Sequence, residues 1–218
     1  MALRPSLSKH PSLLIADTSV VINLNATGCA ETILKALPHR LAVVDVVVDE
    51  IEGGVRKGRQ DAVKLASLIE AGLIEVVKLG PQGLVVFETL VIGPASDTLD
   101  DGEAATIAYA AEAGARALIE ERKARRLAAE RHAGVPLGCT TNLLRHVDVG
   151  RAVGAAGIAV AVHNALVGAR MRVLAPHLDW VVSAIGDERA ANCLSLSEAI
   201  RKEAKARLLR SAALSPGE

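Results

Sequence analysis

Leu13-Leu14-Ile15-Ala16-Asp17-Thr18-Ser19 sets a carboxylate directly after a short apolar run. Four apolar residues bounded by turn formers suit a parallel strand covered on both faces, so Asp17 stands where that strand emerges into a turn. Outward from it, apolar patterns alternate between the two periods. Residues 30–37 read as a helix stopped by Pro38, and 41–48 as a β-branched strand that can turn helical from Val46 onward. Residues 61–71 space their apolar positions for a helix ended by Gly72, and 73–79 read as the next strand. The apolar stretch 84–92 fits either state. A helix beginning near Asp100-Asp101-Gly102-Glu103 carries acids at the positive end of its dipole and runs to about Ala113, before Gly114. Residues 115–119 then form a strand, 122–131 a basic helix, 134–137 a brief strand and 140–149 another helix start. This alternation predicts a three-layer α/β/α domain with a mostly parallel central sheet.

In such a sheet, sites gather at the carboxyl ends of the strands. Asp17 and Glu120 close strands, while Glu50 and Glu103 lie at or near helix starts, so one end of the sheet collects four separated acids. A single acid so placed is most often a helix cap or an ion-pair partner. Four together repel one another at neutral pH unless a cation compensates them. Hard divalent ions such as Mg²⁺ take oxygen ligands, and they activate water and stabilise a leaving oxygen in displacements on phosphate. The acids therefore point to metal-dependent phosphodiester hydrolysis.

Composition narrows the alternatives. Twenty-five basic residues balance twenty-five acidic ones, so nucleic acid can be held only by local patches. Aromatic residues are few (Phe87, Tyr109, Trp180), which argues against a base-stacking platform. Cys29, Cys139 and Cys193 are odd in number and form no CxxC or zinc pattern, which fits a reducing compartment. With no signal-like apolar run before Leu13, a cytoplasmic location is the expectation. Residues 153–169 are apolar but broken by His163-Asn164 and flanked by Arg151 and Arg170, as expected of a buried helix rather than a membrane span. None of the six histidines shows metal-ligand or nucleophile-partner spacing, and no glycine series matches a nucleotide-binding loop.

Taken together, these residues resemble the PIN-domain ribonucleases. Ile15-Ala16-Asp17-Thr18-Ser19 followed by Val21-Ile22-Asn23-Leu24 is similar to the family's opening strand and helix, and Val48-Asp49-Glu50-Ile51 to its second acid. Leu99-Asp100-Asp101-Gly102-Glu103-Ala104-Ala105 is similar to the Leu-Asp-x-Gly-Glu helix start of a toxin-like subgroup. Leu118-Ile119-Glu120-Glu121-Arg122 resembles the fourth acidic strand end, and Leu174-Ala175-Pro176-His177-Leu178-Asp179 echoes a late helix. The resemblance covers residues 13–187. It implies a PIN-like fold and a metal site of Asp17, Glu50, Glu103 and Glu120 that binds Mg²⁺ or Mn²⁺. Thr18, Ser19 and Thr140 would position ligands, Asp100 and Asp101 would stand behind them, and Glu121 would be an alternative ligand. It further implies an endoribonuclease, with toxin-like relatives that form homodimers and are neutralised by a small antitoxin-type partner. The fourth acid departs from the family, which usually has Asp where this chain has Glu120 and Glu121.

Two basic groups follow the acids in sequence: Arg56, Lys57 and Arg59, then Arg122, Lys123, Arg125 and Arg126. Phosphate contacts from such side chains would hold an RNA backbone without reading its bases. Residues 198–210 hold five bases and two acids and form a basic C-terminal helix with an apolar stripe at Leu196, Ile200, Ala204 and Leu208. The expected organisation is an extension over 1–12, a nuclease domain over 13–188 and a basic helix and tail over 189–218. The alternative is a catalytically inactive PIN-like module that binds RNA or protein.

Overall fold

The computed structural model describes Leu7 and residues 12–54 and 60–213. In chain order the elements are β1 (Leu13–Ala16), α1 (Thr18–Ala26), α2 (Ala30–Ala36), β2 (Arg40–Val44), α3 (Asp45–Gly53), α4 (Asp61–Glu70), β3 (Ile74–Val77) and α5 (Pro81–Val91). They continue with α6 (Asp101–Glu112), β4 (Arg116–Leu118), α7 (Arg122–Arg131), β5 (Leu137–Gly138), α8 (Thr140–Leu144) and α9 (Val147–Gly168). A 3-10 turn (Ala175–His177) then leads into α10 (Leu178–Ile185), α11 (Asp187–Asn192) and α12 (Glu198–Ala213).

The five strands form one parallel sheet in the order β3-β2-β1-β4-β5. Successive side chains on a strand point to opposite faces, and the core divides accordingly. Leu14 and Ala16 of β1, Leu41 and Val43 of β2 and Leu118 of β4 pack into one cluster, with residues from α1 to α4 and α8 to α12. Ile15, Ala42, Val44 and Ala117 face the other way, onto α5, α6 and α7. Two separate cores on one sheet make the three-layer α/β/α arrangement that the alternating sequence predicts.

Several boundaries shift. β2 ends at Val44, because Asp45 turns its carboxylate onto the Val46 amide at 3.0 Å and opens α3, so Val46 to Val48 are helical despite their β-branching. The undecided stretch 84–92 is helical as far as Val91, in a helix started by Pro81 in its first turn, and Ile92 caps it in extended conformation. The expected strand 134–137 is shorter and later, at Leu137–Gly138, where the Gly138 carbonyl receives the Ile119 amide at 3.0 Å. Gly72 and Gly114, at φ +68° and +62°, end α4 and α6 in a left-handed turn that side-chain-bearing residues disfavour.

Among the described residues, α9 is the one helix long and apolar enough to cross a membrane, and 33% of its most apolar window is buried. Val149, Ile158, Val162, Ala165 and Leu166 on it join the core beside α1, α2 and α10. It is kinked at Gly154 (φ +74°). Leu196 and Ala204 bring the C-terminal helix into that same core.

Candidate active site

The strand order reverses at β1: β2 and β3 lie to one side of it, β4 and β5 to the other. At such a switch point the connections leave the sheet in opposite directions, and a crevice opens beyond the carboxyl ends of the two central strands. Asp17 directly follows β1, and Glu120 lies two residues beyond β4. The Asp17 amide still donates to the Leu118 carbonyl at 3.3 Å, which holds the two exits side by side.

Asp17 caps α1. Its Oδ1 accepts from the Val20 amide at 2.8 Å and from the Ser19 hydroxyl at 2.9 Å. The side chain is buried at 2% exposure. Burial lifts its pKa to about 7, the Glu120 charge adds to the rise, and the bonds from Val20 and Ser19 oppose it.

Glu120 is also buried, and its Oε1 accepts from the Thr140 amide at 2.7 Å. Burial raises its pKa, while the bonds from Thr140, the Arg125 charge and Asn23 pull the other way. Its Oε2 is buried with no hydrogen-bond partner among the described residues. Glu103, on the first turn of α6, is half-buried; partial burial and then the charges of Asp17, Asp100 and Glu121 push it up to about 7.

Glu50 sits in the second turn of α3, exposed, and plays a different part in this arrangement. One of its oxygens accepts from the Gly102 amide at 2.9 Å and the other from the Thr18 hydroxyl. It ties the exit of β1 to the start of α6. The glycine lets the carboxylate approach this closely, because a Cβ on residue 102 would lie 2.9 Å from Glu50 Cδ and push the side chain away.

The structure thus brings Asp17 into electrostatic reach of both Glu120 and Glu103. Ser19 orients Asp17, Thr18 holds Glu50, and the Thr140 amide holds Glu120. Asp100 caps α6 in position and Asp101 opens it; both are exposed. Glu121 points to an ion pair with Arg172.

Sequence reasoning missed Asn23 as a working residue. It is buried on α1, and its amide donates to Thr140 Oγ1 at 3.1 Å. An asparagine inside an otherwise apolar helix run was the available signal. Its partner lies 117 positions away, so its role could not be read locally.

The basic residues after Glu120 are mostly committed to structure. Arg125 donates to the Ile119 and Gly138 carbonyls at 2.9 and 2.7 Å. Lys123 reaches the Ala95 carbonyl at 2.6 Å, and Arg126 bonds Glu130 at 2.9 Å and the Ser96 carbonyl at 3.3 Å. Arg122 is exposed. Arg56, Lys57 and Arg59 lie outside the described residues.

Beside the acids runs a cleft of about 510 Å³, lined by Ser19, Asn23, Glu103, Glu120 and Glu121 and by the segment 168–172. Among the described residues, no three acids or imidazoles converge at the spacing that grips a metal ion. The fit to a hard divalent cation lies in chemistry and charge. The donors are all carboxylate oxygens, one of them buried without a partner, and Asp17, Glu103 and Glu120 form no ion pair among the described residues. An added positive charge would relieve that conflict.

No curated protein and no solved structure matches the chain. The family model DUF3368, described as a PIN domain, matches residues 13–147, which span β1 to the start of α9 and contain all four acids. The chain belongs to the PIN-domain family.

Proposed function

We propose that this protein is a Mg²⁺- or Mn²⁺-dependent endoribonuclease that hydrolyses RNA phosphodiester bonds at the switch-point cleft. PIN domains are generally nucleases, and the family assignment supports hydrolase chemistry. One observation carries the reading further: Asp17, at the exit of β1, is raised by the charge of Glu120 beyond β4 and in turn raises Glu103 on α6, beside an open cleft and with no ion pair to any of the three among the described residues. A fold retains such a cluster at a conformational and electrostatic cost when the cluster has work to do.

Asp17, Glu103 and Glu120, with Glu50 beside them, would hold the cation. When bound, it would neutralise the carboxylates and act as a Lewis acid on phosphate and water. The chain's own part is positioning. Val20 and Ser19 fix Asp17, Thr140 and Asn23 fix the Glu120 side, and Glu50 fixes the α6 start from which Glu103 projects. Ligands oriented in advance need no reorganisation when charge develops on the phosphate.

Incubating the purified protein with single-stranded and structured RNA tests this, with Mn²⁺ or Mg²⁺ set against chelator. Metal-dependent cleavage is the expected result. RNA binding without cleavage under any metal would instead support an inactive PIN-like module. The Arg172 pair on Glu121 favours that second reading, since it occupies the alternative fourth ligand.

The toxin-like reading adds a homodimer in the cytoplasm, neutralised by a small antitoxin-type protein. A small gene immediately upstream, whose product suppresses the ribonuclease, is the result it expects.

A further inference from the structure

We infer that Arg170 and Arg172 form a phosphate-binding subsite for the RNA backbone, on the wall of the cleft built by residues 168–172. The inference rests on the ribonuclease reading above. The cleft lining carries four acids, Asp61, Glu103, Glu120 and Glu121, and its only bases among the described residues are these two arginines. A polyanion entering a carboxylate-lined cleft is repelled unless cations meet it, and a guanidinium fork matches phosphate oxygens in geometry as well as charge.

Three observations set these arginines apart. Met171 between them is buried at 1% exposure, and its amide donates to the Ala165 carbonyl at 3.0 Å, so the segment is anchored while Arg170 and Arg172 face outward. Arg172 is held by Glu121 in a half-exposed pair. Such a pair stores little energy, and a guanidinium has five donors, so a phosphate can share it.

Arg170 follows the C-cap Ala169 of α9 at φ +55°, and it is the one non-glycine residue with positive φ among the described residues. That is the helix-ending position where glycine is usual. An arginine kept there against backbone preference, and without a hydrogen bond or ion pair among the described residues, is free for a ligand. By contrast, Lys123, Arg125 and Arg126 do not line the cleft, and they bond carbonyls and Glu130. The segment lies beyond residue 147, where the family match ends.

Anisotropy of a short labelled single-stranded RNA bound to the full chain, read in chelator so that no cleavage intervenes, tests the subsite. Arg170→Gly and Arg172→Ala should each weaken binding about tenfold. The double variant should flatten the slope of log K against log salt by about 1.4. Arg172→Lys should restore part of the affinity, through charge without the fork.

Arg170→Gly also separates binding from structure. Glycine suits the left-handed turn, so the melting midpoint should hold or rise while affinity falls. Unchanged affinity and salt slope in both single variants would overturn the subsite. So would an Arg172→Ala protein that binds as tightly but cleaves faster, which would make the Glu121 pair a brake on the acids. A wild-type chain that neither binds nor cleaves any RNA overturns the ribonuclease reading and the subsite with it, so the wild type tells the two failures apart.

Discussion

Glu50 and Gly102 meet through a 2.9 Å hydrogen bond from the glycine amide to the glutamate carboxylate, 52 positions apart in sequence. This contact joins α3 to the N-terminus of α6, where a negative charge is favoured by the helix dipole. Gly102→Ala would place a Cβ 2.9 Å from Glu50 Cδ and drive the carboxylate off the amide. The expected loss is about 0.5–1.5 kcal/mol of stability, the worth of the displaced hydrogen bond. In a double-mutant cycle with Glu50→Ala the two losses should add to much more than the double variant shows. Simple additivity in denaturant unfolding would mean that the contact does not hold the two elements together.

The pH dependence of the metal-free protein follows from Asp17 and Glu103. Their ordinary values are 3.8 and 4.5, and both rise to about 7 in the fold. Below pH 4 folded and unfolded chains both hold these protons; between about 4 and 7 the folded chain holds them and the unfolded chain has lost them. Stability should therefore fall as pH rises through that window, by an amount on the order of a few kcal/mol, and level off above it. Asp17→Asn should flatten the profile, and Mn²⁺ should stabilise the wild type more near pH 8 than near pH 5. A flat wild-type profile without metal would contradict the shifts.

Asn23 should matter beyond its own packing. Asn23→Ala leaves the buried Thr140 hydroxyl without its donor and loosens the support beside Glu120. A stability loss of about 1–2 kcal/mol is expected. Cleavage should slow by more than the folded fraction accounts for, which stopped-flow cleavage on a fully folded sample measures. Thr140→Ser keeps the hydroxyl and should resemble wild type.

Arg125 and Arg122 are adjacent turns of one helix with different expected phenotypes. Arg125→Ala removes two carbonyl bonds that pin the ends of β4 and β5, and should cost about 2 kcal/mol of stability. RNA affinity of the folded fraction should barely change. Arg122→Ala, at an exposed position, should leave stability within about 0.5 kcal/mol. Thermal melts beside binding curves for both variants check this; reversed phenotypes would reassign the helix face.

What the sequence disclosed depended on how local the cause was. Residues 13–16 and 122–131 fold as strand and helix as their patterns predict, because short apolar runs and helix formers act within one element. The β2–α3 boundary was ambiguous because Val46-Val47-Val48 favours strand by side chain, while the turn at Asp45 decides for helix. Residues 84–92, rich in valine, needed their neighbours on α6 to settle as helix. The acids were legible as a set through their places at strand and helix ends. Their division of labour was not: Glu50 on Gly102, Asn23 on Thr140 and Arg172 on Glu121 are long-range contacts that only the assembled sheet creates.

Asp17, in the proposed function, belongs to a carboxylate set that works through a divalent ion on RNA. The most direct measurement is cleavage of a labelled RNA across a Mn²⁺ titration by wild type and Asp17→Asn, with folding of both verified by circular dichroism. Cleavage should rise with Mn²⁺, stop with chelator and be lost in the folded Asp17→Asn protein. Cleavage that persists in chelator, or that Asp17→Asn retains at wild-type rate, would contradict it.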